Sequence, residues 1–313
     1  QILDFYKQSP EAARKAFGDD PFEVSNIMRY WVRSKDADMH VIPTDTLYIK
    51  IDKEAVKRSG MMMASDTIPD KMVISLKGKR ALYKNDLMML EMIAHADWTR
   101  PIYVALTVGS ENYMNLGDNF IQEGLANRIT PFLTNQPGAK NFDTEKTYRN
   151  VMYRYKYGGL EKPGLYIDET VLRMCYTHRH IFSQLALHLI EEGQKAKALK
   201  VLQKAEKVLP TYNVPMNYMS GGAEIARAYA LLGQKAKAMQ TINAVWKDAY
   251  QYAVYYLGLN DNWFTMSQRD IMIQLSILTQ INDITQLVDK QLYAKRRTMI
   301  DRLYSTYIGK GGQ

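Results

Sequence analysis

The chain is 313 residues long, 46% hydrophobic and 24% charged, with 41 Lys and Arg against 33 Asp and Glu for a formal net charge of +8. That length has room for about two domains and a sizeable core. Its single cysteine, Cys175, excludes an intrachain disulfide and a multi-cysteine zinc site; no apolar run reaches the roughly 18–20 residues of a membrane helix; and the lysines are dispersed along helix faces without interleaved aromatics, so no nucleic-acid partner is expected.

The opening "SPEAARKAFGDDPFEVSNIMRYWVR" reads as helix with breaks. Strand candidates follow at "TLYIKID" (46–52), "MVISLK" (72–77), "RALYK" (80–84) and "PIYVAL" (101–106), which alternate or run apolar and are rich in Val, Ile and Tyr. Gly78 in "LKGKRALYKND" is expected to turn a hairpin, since the stretch lacks the second Gly and the Lys-Ser/Thr ending of a phosphate loop. Helices are predicted over 85–97, with Asn85 or Asp86 as cap, over 118–128, and over 143–155. Strands mixed with helices make residues 1–160 an α/β or α+β domain. The stretch "YKYGGLEKPGLYID" (155–168) reads as a linker, and Asp168 as the cap of the long helix after it.

Residues 161–313 read as an all-α helical-repeat domain. The string "GQKAKA" occurs at 193–198 and again at 233–238. Around the first copy, Phe182, Leu185, Ala186 and Leu189 form one stripe at helical spacing, and Ala198, Val201, Leu202, Ala205 and Val208 another. Gly193 sits where a left-handed residue can end the first helix. The small Ala198 and Ala238 should lie buried where paired helices approach, with Lys197 on the solvent side. Ser267 and Asp270 read as a capping box opening a further helix, broken at Asn282 and Asp283 and followed by a last helix.

Groups that could do chemistry are few. His178 and His180 are two apart, and positions i and i+2 do not share a helix face, so no metal pair is expected. His95 and Asp97 flank the end of a helix before Trp98, with no nucleophile placed near them by sequence; helix termination explains them, and Arg100 serves the carbonyl end. Asp143, Glu145, Asp168 and Glu169 sit at helix starts or in loops. No catalytic residue, metal ligand or cofactor is assigned.

The helical pattern resembles a tetratricopeptide repeat, whose period is about 34 residues. Phe182, Leu185, Ala186, Leu189, Gly193, Ala198, Leu202, Ala205 and Pro210 occupy that family's signature positions. The second unit departs from it, with Gly222 at the first aromatic position, Tyr250 where Pro is usual, and a longer connector, "TYNVPMNYMS". The resemblance implies a concave groove faced by His180, Ser183 and Leu187 in the first unit and by Ser220, Ala223 and Arg227 in the second, able to take an extended peptide.

A second resemblance rests on "NDLMMLEMIAHADWTRPIYVALTVG", "GLANRITPF" and "GLYIDETVLRMCYTHRHIFSQLALHLIEEGQKAKAL", roughly residues 40–210. These are similar to the soluble C-terminal region of a bacterial family of multi-pass membrane proteins of unknown function that is itself similar to protein O-mannosyltransferases. It implies a non-catalytic domain at the outer, periplasmic face of the cytoplasmic membrane. Its partner would be a peptide, a protein, or the membrane part of its own longer chain. The start at Gln1, with neither Met nor a signal peptide, fits a piece of something longer. A free-standing enzyme with its site in the N-terminal domain, and a structural scaffold, are the alternatives.

Overall fold

The computed structural model describes residues 2–63 and 67–312, which fall into two compact units, residues 1–143 and 144–313.

The first unit is α+β. Its helices are α1 (Ile2–Gln8), α2 (Pro10–Phe17), α3 (Val24–Ile27), α4 (Lys53–Arg58) and α5 (Lys84–His95). Strands β1 (Thr46–Lys50) and β2 (Lys71–Ser75) form an antiparallel pair in the register Tyr48↔Val73. Strands β3 (Tyr103–Ala105), β4 (Phe120–Gln122) and β5 (Ala126–Ile129) form a second antiparallel sheet of order β3-β5-β4. One apolar core joins the helices to both sheets through Val24, Ile27, Leu47, Ile74, Leu90, Ile93, Trp98, Ile121 and Ile129. Alternation sets the inner face: in β1, Leu47 and Ile49 are buried while Thr46 and Lys50 face water.

Three expectations for this unit are overturned. Residues 118–128 form no α-helix: after a 3-10 turn over Gly117–Asn119 the chain folds as the β4–β5 hairpin. Phe120, Ile121 and Leu125 have helical spacing, but Gly124 takes φ 104° and the chain reverses there, with Glu123 N donating to Ala126 O at 2.9 Å. Residues 80–84 form no strand, and Gly78 turns the chain toward α5 instead of a hairpin. The α5 cap is Tyr83, whose backbone N–H is held by the Asp86 carboxylate at 2.9 Å, and Lys79 pairs with the same carboxylate at 3.2 Å.

The second unit is all helical. It opens with α6 (Thr144–Arg149) and a π-helical turn over Asn150–Arg154. Then come α7 (Glu169–Glu191), α8 (Lys195–Val208), α9 (Gly222–Leu231), α10 (Lys235–Leu257), α11 (Asp261–Met266), α12 (Gln268–Gln286) and α13 (Lys290–Gly309). Asp168 caps α7, accepting from Thr170 N and Val171 N at 2.8 and 3.0 Å. Helix α7 packs on α6 and α8, α10 on α9 and α12 on both α11 and α13, while α9 also packs on α7 and α12 on α10.

Toward the C-terminus two further expectations fail. Ser267 makes no side-chain cap, because the chain runs almost without interruption from α11 into α12. Asn282 does not break α12; it is buried and donates to Tyr293 O of α13 at 3.2 Å, a tertiary bond that outweighs its weak helix propensity. Tyr250, standing where a proline would stop the helix, lets α10 continue to Leu257. The buried Arg296 of α13 ties this end together, donating to Thr285 Oγ1 and Asn243 Oδ1 at 3.2 and 2.8 Å and stacking 4.4 Å over the Trp246 ring.

Candidate functional site

The repeated string builds the same object twice. At the end of α7, Gln194 N donates to Leu189 O at 2.7 Å and Gly193 N to Ile190 O at 3.0 Å; at the end of α9, Gln234 N donates to Tyr229 O at 2.9 Å and Gly233 N to Ala230 O at 3.0 Å. These paired bonds are Schellman turns, with Gly193 at φ 76° and Gly233 at φ 72°, where a Cβ would be strained. The chain reverses and the next helix returns along the first. Ala198 and Ala238 in the returning helices, and Ala186 and Ala226 in the helices before them, are all fully buried.

The six residues of the implied groove are spread over different environments. Ser183 and Ser220 are fully buried and their hydroxyls serve local backbone, Ser183 Oγ donating to His180 O and Ser220 Oγ to Asn217 O. Ala223 is buried, His180 is half-buried with Nε2 3.3 Å from Met219 O, Leu187 is half-buried, and Arg227 is exposed.

A concavity in this unit lies elsewhere. A cavity of about 370 Å³ sits between α8, α9, α10 and the connector after α8. Its floor is apolar, with Leu202, Ile225 and Met216; Glu206, Lys237 and Gln240 stand at its polar side. Glu206 accepts from Tyr229 Oη at 2.8 Å and from Lys237 Nζ at 3.1 Å. Burial, and the bond to Glu206, push the Tyr229 phenol up from its ordinary value, so it stays a neutral donor.

The connector wall is rigidly built. Arg179 of α7 is buried and spends its guanidinium on three connector carbonyls, Leu209 (3.1 Å), Val214 (2.5 Å) and Pro215 (2.9 Å). Burial pushes this guanidinium down to about 10. Asn213 Nδ2 donates to Leu160 O and Lys162 O, and Tyr212 Oη to Glu161 O, which fastens the 155–168 stretch to the connector. Sequence reasoning missed Arg179. The signal was there: it sits three residues after Tyr176 and three before Phe182, a charge inside an apolar stripe.

The other candidates resolve into packing. His178 lies against the rings of Tyr155 and Tyr157, and burial lowers its basicity. Cys175 is buried and its thiol is pushed up by desolvation. Lys197 is not a free surface cation: its Nζ pairs with Glu145 at 2.8 Å and lies 5.3 Å from the Tyr148 ring centroid. Among the described residues no group of three or more His, Cys, Asp or Glu could hold a metal ion, and no helix is long and apolar enough to cross a membrane. In the first unit, Arg128 and Glu123 form a buried pair 3.7 Å apart, Arg128 also donating to Ser59 O, and Tyr103 Oη donates to Glu123 at 2.6 Å.

The family model described as TMEM260-associated domain 2 matches residues 4–146. This covers the first unit and just under half of the chain. No curated protein and no solved structure matches.

Proposed function

We propose that this chain is the extramembrane part of a TMEM260-like membrane protein, and that its helical unit is a non-catalytic platform for an extended peptide on the periplasmic side. The family match over residues 4–146 supports the first half of the reading. The cavity beside the connector carries the second: an apolar floor with a charged side is suited to one apolar side chain of a strand-like peptide, whose backbone would meet Gln240 and Thr241.

Fluorescence anisotropy tests this. Labelled pentapeptides differing only at the centre (Phe, Leu, Ala, Asp or Lys) are titrated with the chain. Saturable binding is expected for Phe and Leu, abolished by Ala244→Phe, which plugs the cavity, at unchanged melting temperature. Arg227→Glu leaves that affinity alone if the peptide occupies the cavity, and weakens it if the peptide runs across the α7–α9 face. No saturable binding by any peptide refutes the platform.

A further inference from the structure

Away from the helical unit, the first unit holds a cleft of about 530 Å³ at the end of α5. Its polar lining is Glu91, His95, Arg100 and Tyr103; Met92 and Ile102 supply apolar wall. Glu91, Tyr103 and one ring nitrogen of His95 are bound to the protein itself. The Glu91 carboxylate faces Arg33, which neutralises it, and its Oε1 lies 3.4 Å from His95 Nδ1. Tyr103 Oη is given to Glu123. That leaves two unspent groups. No group among the described residues holds the Arg100 guanidinium, and none holds His95 Nε2.

The backbone that presents Arg100 is strained. Asp97 at φ 45° and Trp98 at φ 57° are consecutive left-handed residues, neither of them glycine. Such residues are costly and persist only where the surroundings enforce them. Here Trp98, only 6% exposed, is driven into the core and holds the turn. The reversal returns Arg100 and Pro101 alongside the last turn of α5, where His95 lies. A plain helix stop needs neither the strain nor a free guanidinium.

We propose that this cleft binds a small oxyanion, a phosphate-like or carboxylate group, held by Arg100 and by His95 Nε2. The guanidinium offers a planar fork for paired oxygens. His95 Nδ1 is 3.0 Å from Glu91 O and near Oε1, two acceptors, so it carries the ring proton. Nε2 therefore donates only when the imidazole is protonated. The charges around this ring are Glu91 on its own helix, Arg33 paired to Glu91, Arg100 across the cleft, and the neutral Tyr103 phenol.

The test uses the whole chain and two probes whose charge is constant near neutrality, sulfate and acetate, at ionic strength fixed with chloride. Carbon-bound ring protons of the five histidines are followed by NMR, with His95 identified by its loss in His95→Gln. The expected result is a saturable shift at His95 alone. Arg100→Gln, at an exposed position, should weaken it by about tenfold or more with no change in melting temperature. Saturation by sulfate but not acetate marks a phosphate-like ligand, and the reverse marks a carboxylate; either supports the site. A linear drift shared by all five histidines, or equal affinity in Arg100→Gln, overturns it.

Discussion

Ala198 is the sharpest probe of the repeat geometry. It is fully exposed to packing on α8 and fully hidden from water, while Ala196, two residues earlier on the same helix, faces solvent. Changing each to Leu holds the chemistry constant. Both residues are strong helix formers, so propensity differs by a few tenths of a kcal/mol at most. At Ala196 the added carbons enter water, and the effect should stay within about 0.5 kcal/mol. At Ala198 they must displace neighbours in a filled core, which costs about 1–3 kcal/mol. For a cooperative unit of this size that is roughly 2–12 °C in melting temperature. Differential scanning calorimetry of the two variants gives the comparison directly. Lys197 is unsuitable as the solvent-side control, because Lys197→Leu would also remove the ion pair with Glu145. Equal shifts at positions 196 and 198 would mean that α8 is rotated about its axis relative to α7, and the register derived from the repeated string would fall.

Two further predictions concern polar groups. Arg179→Met should leave three connector carbonyls without their donor and lower stability by about 2–4 kcal/mol, with hydrogen exchange accelerated first at residues 209–216; uniform acceleration across the unit would show that Arg179 does not act through the connector. Burial first, and then the bond to Glu123, push the Tyr103 phenol up to about 12. The folded state thus keeps a proton that the unfolded chain gives up near pH 10. Its contribution is complete below that point and is lost as pH rises toward 12. Tyr103→Phe should therefore flatten the alkaline loss of stability in denaturant titrations, and an unchanged alkaline slope would refute the assignment.

How much of this was legible in sequence depends on the range of the interactions. The helical hairpins were readable because their determinants are local: a stripe every three or four residues, a glycine at the reversal, an aspartate at position 168. Strands β1 and β2 were readable from alternation. The β4–β5 hairpin was not, because its apolar residues also satisfy helical spacing and its turn has no Asn-Gly or Asp-Gly signature. The Asn282 error has the opposite cause: a residue that ends helices locally is held inside one by a carbonyl eleven positions away. The cavity shares that limit, since Arg179 meets residues 209–215 and no spacing rule joins them. His95 and Arg100 of the cleft are only five apart and stand out in the sequence, but the Arg33 that neutralises Glu91 beside them lies 58 positions away.

The departures from the repeat now acquire a physical reason. Where the two copies agree, at the glycine, the glutamine and the small alanine, the residues build the turn and the close contact, and the two sites are superimposable in their hydrogen bonds. Where they differ, the second copy is fitted to the connector. Gly222 replaces an aromatic because a Cβ there would stand 2.5 Å from Val245 Cγ2 and 2.9 Å from Met216 Sδ, so the connector and α10 already fill that space. Met216 in turn lines the cavity, and Arg179 in the first copy exists to hold the strand of chain that carries it. The extra residues of the longer period are thus not slack between two repeats. They form the wall of the concavity in the helical unit, and the residues that deviate from the repeat pattern are those that keep this wall in place.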